Sequence, residues 1–258
     1  MKYIVSVSGG KDSTATLLFM LERVKKEDLI IVFIDTKWEA DETYEYLNYL
    51  ERKLDIEIIR IESEGMFNLC IRYGFMPNRV MRFCTENLKI KPFNKWLYEN
   101  FVSKNIDFIL VEGIRRKESK SRADTETFEI KKQTYNRKSF YTKKLYPIAY
   151  WNKERVFKYI EEKGLKINPL YKMGFNRVGC MPCIFDRKSL IYMPEKYKKR
   201  LRELEKVVSK KIGKEVKFFA LDVEKYLEQN ILFDLFDLFP QNSPTPEERP
   251  GGRTAGRG

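Results

Sequence analysis

The sequence predicts an α/β protein built on a doubly wound, mostly parallel sheet with a helical C-terminal region. Strand-like and helix-like segments alternate through the first half of the chain, which is typical of parallel sheets with right-handed crossovers. The segment Leu29–Asp35 is almost continuously apolar, as expected of a strand buried on both faces. Ligands of such sheets bind at the carboxyl ends of the strands, so the residues after each strand are the first candidates for a site.

The individual elements follow from the spacing of apolar residues. Strands are predicted at residues 3–7, 29–35, 56–61 and 108–113. Helices are predicted at residues 13–26, 41–54, 87–103, 152–164 and 194–213. Residues 124–146 are polar and basic, which indicates an exposed excursion, either a hairpin or a mobile lid. We expect residues 240–258, rich in Pro, Gly and Arg without apolar periodicity, to form a disordered tail.

The first predicted strand runs directly into a glycine-containing loop that a helix-forming stretch follows. Glycines let the backbone approach an anion closely, and the first amides of the helix point toward it. In a Walker loop four residues separate the two glycines, and serine or threonine directly follows the lysine. Here Gly9 and Gly10 are adjacent, and Asp12 separates Lys11 from Ser13, so the spacing is not that of a Walker loop. An ordinary strand-to-helix turn is the alternative, but the position favours a phosphate site. The candidate ligands are Ser8, Gly9, Gly10, Lys11, Asp12 and Ser13.

Composition limits the chemistry further. The net charge is +13, from 50 basic and 37 acidic residues, so polyanions are attracted to the chain. The absence of histidine excludes a Ser-His-Asp triad and zinc sites with imidazole ligands. We expect a cytoplasmic protein without membrane contact, because there is neither a leader-like N-terminus nor an apolar stretch of about 18 residues.

The four cysteines are candidate metal ligands. Cys180 and Cys183 form a C-x-x-C pair in a loop, and Cys84 lies upstream. Such a pair can be a redox couple, half of a metal site or a coincidence, and no thioredoxin-like context surrounds it. Thiolates without histidine favour an iron–sulfur cluster or an all-cysteine zinc site. Cys70 is either a fourth ligand or a small buried hydrophobic residue.

Two further loops follow predicted strands. Gly113 opens a loop that contains Arg115 and Arg122, and guanidinium groups match phosphate or sulfate bidentately. Asp35 and Thr36 end the second strand at the same edge of the predicted sheet. These residues complete the candidate site.

Several motifs together resemble a known family. The loop at residues 8–13 resembles that of N-type ATP pyrophosphatases, the PP-loop superfamily. The ordered segments downstream resemble the phosphoadenosine phosphosulfate (PAPS) reductase family, which is the sulfur branch of that superfamily. The likeness covers roughly residues 1–210 and extends to the ATP pyrophosphatase component of DNA phosphorothioation systems and to tRNA thiolation enzymes. The segments are residues 82–92, 112–123, 147–148, 168–171 and 179–183.

The resemblance implies an adenine nucleotide α-hydrolase-like fold and a set of roles. ATP would place its β,γ-pyrophosphate in the loop, Asp12 would orient Mg²⁺, and Asp35 and Thr36 would lie beside the adenine. The implied catalytic residues are Lys11, Asp12, Arg115 and Arg122. Gly113 belongs to the implied nucleotide site.

The resemblance also implies a 4Fe–4S cluster on Cys84, Cys180 and Cys183, with zinc as the alternative. Cluster-bearing sulfonucleotide reductases have adjacent cysteines at the early position, where this chain has Phe83 and Cys84. The fourth ligand is therefore either Cys70 or an external group, such as sulfide or substrate, on an open iron.

Three functions remain open at this point. The first is ATP cleavage between the α and β phosphates to adenylylate an acceptor for sulfur transfer, with tRNA or DNA as acceptor and a sulfur donor or partner protein. The second is sulfonucleotide reduction by an external thiol or bound sulfide, since no cysteine follows Cys183. The third is a non-catalytic nucleotide-sensing subunit. The predicted domains are a PP-loop nucleotide-binding domain at 1–165, a cysteine-containing loop and helical region at 166–239, and the tail at 240–258.

Overall fold

A six-stranded sheet forms the centre of the molecule. In the computed structural model, which describes residues 1–219, the strands are β1 (Lys2–Val7), β2 (Leu29–Asp35), β3 (Ile58–Glu62), β4 (Phe108–Val111), β5 (Phe128–Tyr135) and β6 (Lys138–Leu145). Their order is β3-β2-β1-β4-β6-β5. All neighbours are parallel except β5 and β6, which pair antiparallel. The predicted α/β class with a mostly parallel sheet is confirmed.

Seven α-helices surround the sheet within residues 1–219. They are α1 (Lys11–Leu21), α2 (Asp41–Leu54), α3 (Met66–Tyr73), α4 (Phe83–Thr85), α5 (Lys91–Leu97), α6 (Lys153–Glu162) and α7 (Glu195–Ile212). Two π-helical turns, Glu86–Ile90 and Tyr98–Val102, follow α4 and α5, so the predicted helix at 87–103 is helical from Phe83 onward. Helix α1 begins directly after Gly10, whose backbone is extended, and is therefore shifted toward the N-terminus relative to the prediction.

Helices cover both faces of the sheet, as the doubly wound class requires. On one face, Val5 of β1 packs with Leu17 of α1, Leu47 of α2 and Val156 of α6. On the other face, Ile4 of β1 packs with Phe93 and Leu97 of α5 and with Phe101. The alternation of Ile4 and Val5 between two cores shows why the strand is apolar on both sides.

The basic segment at 124–146 belongs to the sheet. The hairpin alternative is confirmed, since β5 and β6 pair along their whole length around Asn136 and Arg137, whose φ angles of 46° and 62° suit a tight hairpin turn. The mobile-lid alternative is wrong, because β6 also pairs in parallel with β4. A strand that is exposed on one side typically alternates polar and apolar residues. The many polar residues of this alternation resemble those of a surface loop.

Met1–Phe218 forms one compact unit. The predicted domain boundaries at residues 165 and 239 stay predictions, and the proposed tail at 240–258 lies outside the described residues. Among the helices of residues 1–219, none combines the length and the apolar character needed to cross a bilayer.

Glu22, at the end of α1, ties that helix to α6. Two hydrogen bonds lower the pKa of Glu22 from 4.5 to about 2. The larger effect comes from Lys163, and the smaller from the Tyr159 hydroxyl, which donates at 2.8 Å. A lowered folded-state pKa stabilises the fold above the unfolded pKa, and this stability is lost as the pH falls toward 2. We expect Glu22→Gln to lower the melting temperature at pH 6 and to match the wild type at pH 2. A constant difference across this range would contradict the assignment.

Candidate functional site

The glycine loop after β1 is held in shape by hydrogen bonds of its own. The Ser8 backbone N–H donates to Ser13 Oγ at 3.0 Å, and that hydroxyl donates to the Gly10 carbonyl at 3.0 Å. Gly9 has a φ of +71°, which favours glycine, and its carbonyl accepts from Asn168 Nδ2 at 3.1 Å. The loop is thus preorganised at the N-terminus of α1, where helix amides favour an anion.

A buried ion cluster lies at the start of α1. Lys11 Nζ is 3.1 Å from Asp12 Oδ2, and the Arg115 guanidinium donates from Nε to the same carboxylate. Lys11 is 7% exposed and Arg115 is 4% exposed. Two cations around one carboxylate leave a net positive charge, and this charge favours an anionic ligand. A magnesium ion at Asp12 would compete with both cations for the carboxylate oxygens.

Gly113 explains how the β4 loop reaches α1. A Cβ at this position would lie 2.7 Å from the Asp12 carbonyl carbon and oxygen and 2.8 Å from Ser13 N. These are backbone atoms of the phosphate loop, so any larger residue would push the two loops apart. The close approach brings Arg115 to Asp12.

A cavity of about 560 Å³ opens beside this cluster. Five cationic side chains and two carboxylates line it: Lys11, Arg115, Lys117, Lys153, Arg177, Glu118 and Glu154. Its volume falls within the range of small-ligand sites, about 300–1,000 Å³. The excess of cations suits a ligand with several negative charges.

The thiols line a second cavity of about 440 Å³. Cys84, Cys180 and Cys183 face it, whereas Cys70 is fully buried in α3 and is not among the lining residues. Burial raises the pKa of Cys70 to about 12 and that of Cys180 to about 11. Within residues 1–219 no three metal-ligating side chains lie close enough together to hold an ion. The three thiols therefore share a cavity without forming a closed metal centre.

Cations surround the thiols as well. Arg82, Lys89 and Arg122 line the thiol cavity, and electrostatic attraction to a Cys180 thiolate raises the pKa of Lys89. Glu118, which pairs with Arg122, and Arg177 line both cavities. The two cavities therefore adjoin, and a ligand could extend from the phosphate loop to the thiols.

The sequence and the fold of this chain are matched among known proteins. The sequence model of the phosphoadenosine phosphosulfate reductase domain matches residues 2–185. The chain belongs to this family. It is 30% identical over 181 residues to a phosphoadenosine 5'-phosphosulfate reductase of Buchnera aphidicola, covering 68% of each chain. It is 36% identical over 180 residues to an uncharacterized protein of Methanocaldococcus jannaschii, covering 70% of this chain and 35% of that protein.

A solved structure supports the fold alone. The PAPS reductase of Candida auris superposes with a TM-score of 0.53 at 16% identity, covering 71% of this chain and 83% of that one. The chain spans about a third of the length of the archaeal relative. These matches show the reductase-domain fold.

The structure brings together some of the predicted site residues of this reductase-domain chain and separates others. Lys11, Asp12, Arg115 and Gly113 meet at the phosphate loop. Arg122 instead lies at the thiol cavity.

Asp35 and Thr36 lie at the end of β2, with different surroundings. Asp35 accepts a hydrogen bond from the Tyr44 hydroxyl at 2.7 Å. Burial is the largest cause that raises the pKa of Tyr44, and this hydrogen bond is the second. Thr36 lines the thiol cavity and donates to Glu39 at 2.7 Å. Their proposed role beside an adenine stays a prediction.

Sequence reasoning missed three residues of the site. Glu39, 2% exposed, accepts from Thr36 and lies 3.8 Å from Cys180 Sγ. Arg177 joins the two cavities, and Tyr171 accepts the Lys11 backbone N–H at 2.9 Å. Tyr171 lay within a segment used for the resemblance, but no residue pattern signals its contact with a loop 160 positions away.

Proposed function

We propose that this chain is an ATP pyrophosphatase that adenylylates an acceptor for sulfur transfer. The observation that carries the proposal is the preformed loop with Lys11 and Arg115 at the wall of a cation-rich cavity. The acceptor nucleophile would attack the α-phosphorus while the α–β P–O bond breaks. Pyrophosphate would leave with the bonding electron pair, and the acceptor would keep AMP.

The residues of the loop have distinct parts in this reaction. The Lys11 ammonium would stabilise charge on the leaving pyrophosphate, as positioned cations do in phosphoryl transfer. Arg115 would hold Asp12 in place, since it donates to that carboxylate. When bound, Mg²⁺ would neutralise the β- and γ-phosphates. Asp12 would be its protein ligand once the Lys11 ammonium pairs with the pyrophosphate instead of this carboxylate.

The acceptor we favour is nucleic acid, tRNA or DNA, in the cytoplasm. The net charge of +13 supports this choice. The sulfur would come from a donor molecule or a partner protein. The cavity of the thiols adjoins that of the phosphate loop through Glu118 and Arg177, which supports activation and sulfur transfer on one substrate.

We further propose that Cys84, Cys180 and Cys183 hold a 4Fe–4S cluster, with zinc as the alternative. Their shared cavity and the absence of histidine in the chain support this donor set. Cys70 lies off the cavity lining, so we favour an external fourth ligand over Cys70.

Anaerobic purification with metal analysis checks the cysteine assignment. Cys84→Ser, Cys180→Ser and Cys183→Ser should each reduce bound iron to less than about half, since a cubane cluster needs most of its thiolates. Cys70→Ala should keep the iron, because it removes only a buried thiol that does not line the cavity. Stoichiometric zinc would select the zinc alternative, and a metal-free wild type would refute both.

Sulfonucleotide reduction is the second candidate, because a relative at 30% identity is named a phosphoadenosine 5'-phosphosulfate reductase. The thiol cavity with Arg82, Lys89 and Arg122 suits a sulfonate. An external thiolate would attack the sulfur, the S–O bond to the nucleotide would break, and a second thiol would release sulfite as the disulfide forms.

Parallel assays separate the candidates. We expect Mg²⁺-dependent pyrophosphate release from ATP, increased by tRNA or single-stranded DNA. Sulfite from PAPS or adenosine phosphosulfate with a thiol donor would support reduction instead. Nucleotide binding without turnover under either condition would support a sensing subunit.

A further inference from the structure

We propose that the exposed side of the β5–β6 hairpin binds single-stranded nucleic acid and guides it to the phosphate loop. Residues paired across an antiparallel ladder project to the same side of the sheet. The pairs Ile130 with Lys143 and Lys132 with Tyr141 therefore share one side. Leu145, which pairs with Phe128 on the same side, packs against the core. We call the exposed part of this side the hairpin face, and its residues are Phe128, Ile130, Lys132, Thr134, Ser139, Tyr141 and Lys143.

The apolar side chains of the hairpin face are open to solvent. Tyr141 is 71% exposed, Ile130 is 60% exposed and Phe128 is 46% exposed. The side chain of Phe140, which projects to the opposite side, is buried in the core with α5. One side of the hairpin thus holds the fold together, while the other presents rings and an aliphatic side chain to solvent.

The charge of the hairpin face is positive. Lys132 and Lys143 lie on it, and none of its seven residues is acidic. Neither lysine makes an ion pair with the residues that the structure describes, whereas Lys131 and Lys144, on the opposite side, pair with Glu129 and Glu112. The lysines of this face are available to an external anion.

Lysine on an edge strand commonly prevents strand-to-strand aggregation. Exposed Phe128 and Tyr141 would promote aggregation, so protection against aggregation does not explain all the residues of the hairpin face. Aromatic rings interleaved with lysines match single-stranded nucleic acid, in which bases stack and phosphates pair with cations. A second copy of the chain would bring like charges together at Lys132 and Lys143.

The direction of β6 connects the hairpin face with the site. Strand β6 runs parallel to β4, and β4 leads into Gly113 and Arg115. The step from Tyr141 to the end of β6 covers roughly 13 Å along the strand, toward the carboxyl edge of the sheet. Just beyond, Tyr150 is 62% exposed and the Arg116 guanidinium lies 4.2 Å from its ring centroid. This inference rests on the proposed nucleic-acid acceptor.

Fluorescence anisotropy with labelled 20-nucleotide single-stranded DNA and RNA tests the proposal on the full chain. We expect Tyr141→Ser to weaken binding about tenfold, because it removes one stacking platform. The double variant Lys132→Glu/Lys143→Glu should also weaken binding. The slope of log K against log salt concentration should fall by the equivalent of roughly one to two phosphate contacts. Lys25→Glu/Lys53→Glu makes the same charge change at exposed lysines away from the hairpin and should bind within about threefold of wild type.

Equal losses in the two double variants would overturn the proposal, because binding would then follow net charge alone. No binding by the wild type, or a dimer that the Tyr141 variant dissociates, would overturn it as well. The hairpin variants should keep acceptor-independent pyrophosphate release. If the hairpin variants lose nucleic-acid binding and the wild type releases no pyrophosphate from ATP, the inference stands and the proposed function fails.

Discussion

Lys11→Ala is expected to lower pyrophosphate release from ATP by about 100-fold or more, the effect of removing one preorganised charge-stabilising donor. Its ammonium lies in the wall of the cation-rich cavity, 3.1 Å from Asp12. Arg115 still pairs with Asp12 in this variant, so the carboxylate is not left uncompensated and the fold should persist. Initial rates at saturating Mg·ATP, with circular dichroism to confirm folding, provide the measurement.

Lys53→Ala is the matched control, because this lysine is exposed in the last turn of α2 and lines neither the cation-rich cavity nor the thiol cavity. It should keep the wild-type rate. A folded Lys11→Ala protein that releases pyrophosphate within about threefold of wild type would show that the loop does not act on the phosphates.

Gly113→Ala is expected to reduce nucleotide affinity and to lower the free energy of unfolding by about 1–3 kcal/mol, the usual cost of overpacking. The added Cβ would lie 2.7 Å from backbone atoms of Asp12. Backbone in the first turn of α1 cannot move aside as a side chain can, so the loops must separate and Arg115 must shift away from Asp12. Calorimetric titration with a non-hydrolysable ATP analogue, together with urea unfolding, measures both effects.

Gly164→Ala distinguishes a site effect from a general loss of stability. Gly164 has a φ of +67° and no atom within 4 Å of its built Cβ, so alanine there should cost about 1 kcal/mol through backbone strain. Nucleotide affinity should stay unchanged in this variant. Equal losses of affinity at both positions would contradict the role of Gly113 at the phosphate loop.

Much of the fold could be predicted because its signals are local. The apolar run of β2 and the periodicity of α2 gave both elements at their observed bounds. The β5–β6 hairpin was harder to place, because strand β6 joins β4 through pairing that residue spacing does not encode. Its alternating polar residues reflect an exposed side of a sheet and resemble a surface loop.

The candidate site divides in the same way. The phosphate loop and Gly113 are visible in the sequence because glycine there has a backbone cause. Glu39 and Tyr171 were missed because their roles depend on tertiary contacts with Thr36 and Lys11. The resemblance implied that Arg122 lies near the nucleotide phosphates or the acceptor. Its loop places it beside the thiols, and its role stays a prediction.

The fate of the γ-phosphate label tests the central claim most directly. ATP labelled with ³²P at the γ position, incubated with Mg²⁺ and either tRNA or single-stranded DNA, should yield labelled pyrophosphate, while the unlabelled AMP stays on the acceptor. The products should disappear with Lys11→Ala. Labelled orthophosphate with ADP would place the cleavage at the β–γ bond and would contradict the proposal that the Ser8–Ser13 loop holds pyrophosphate as the leaving group.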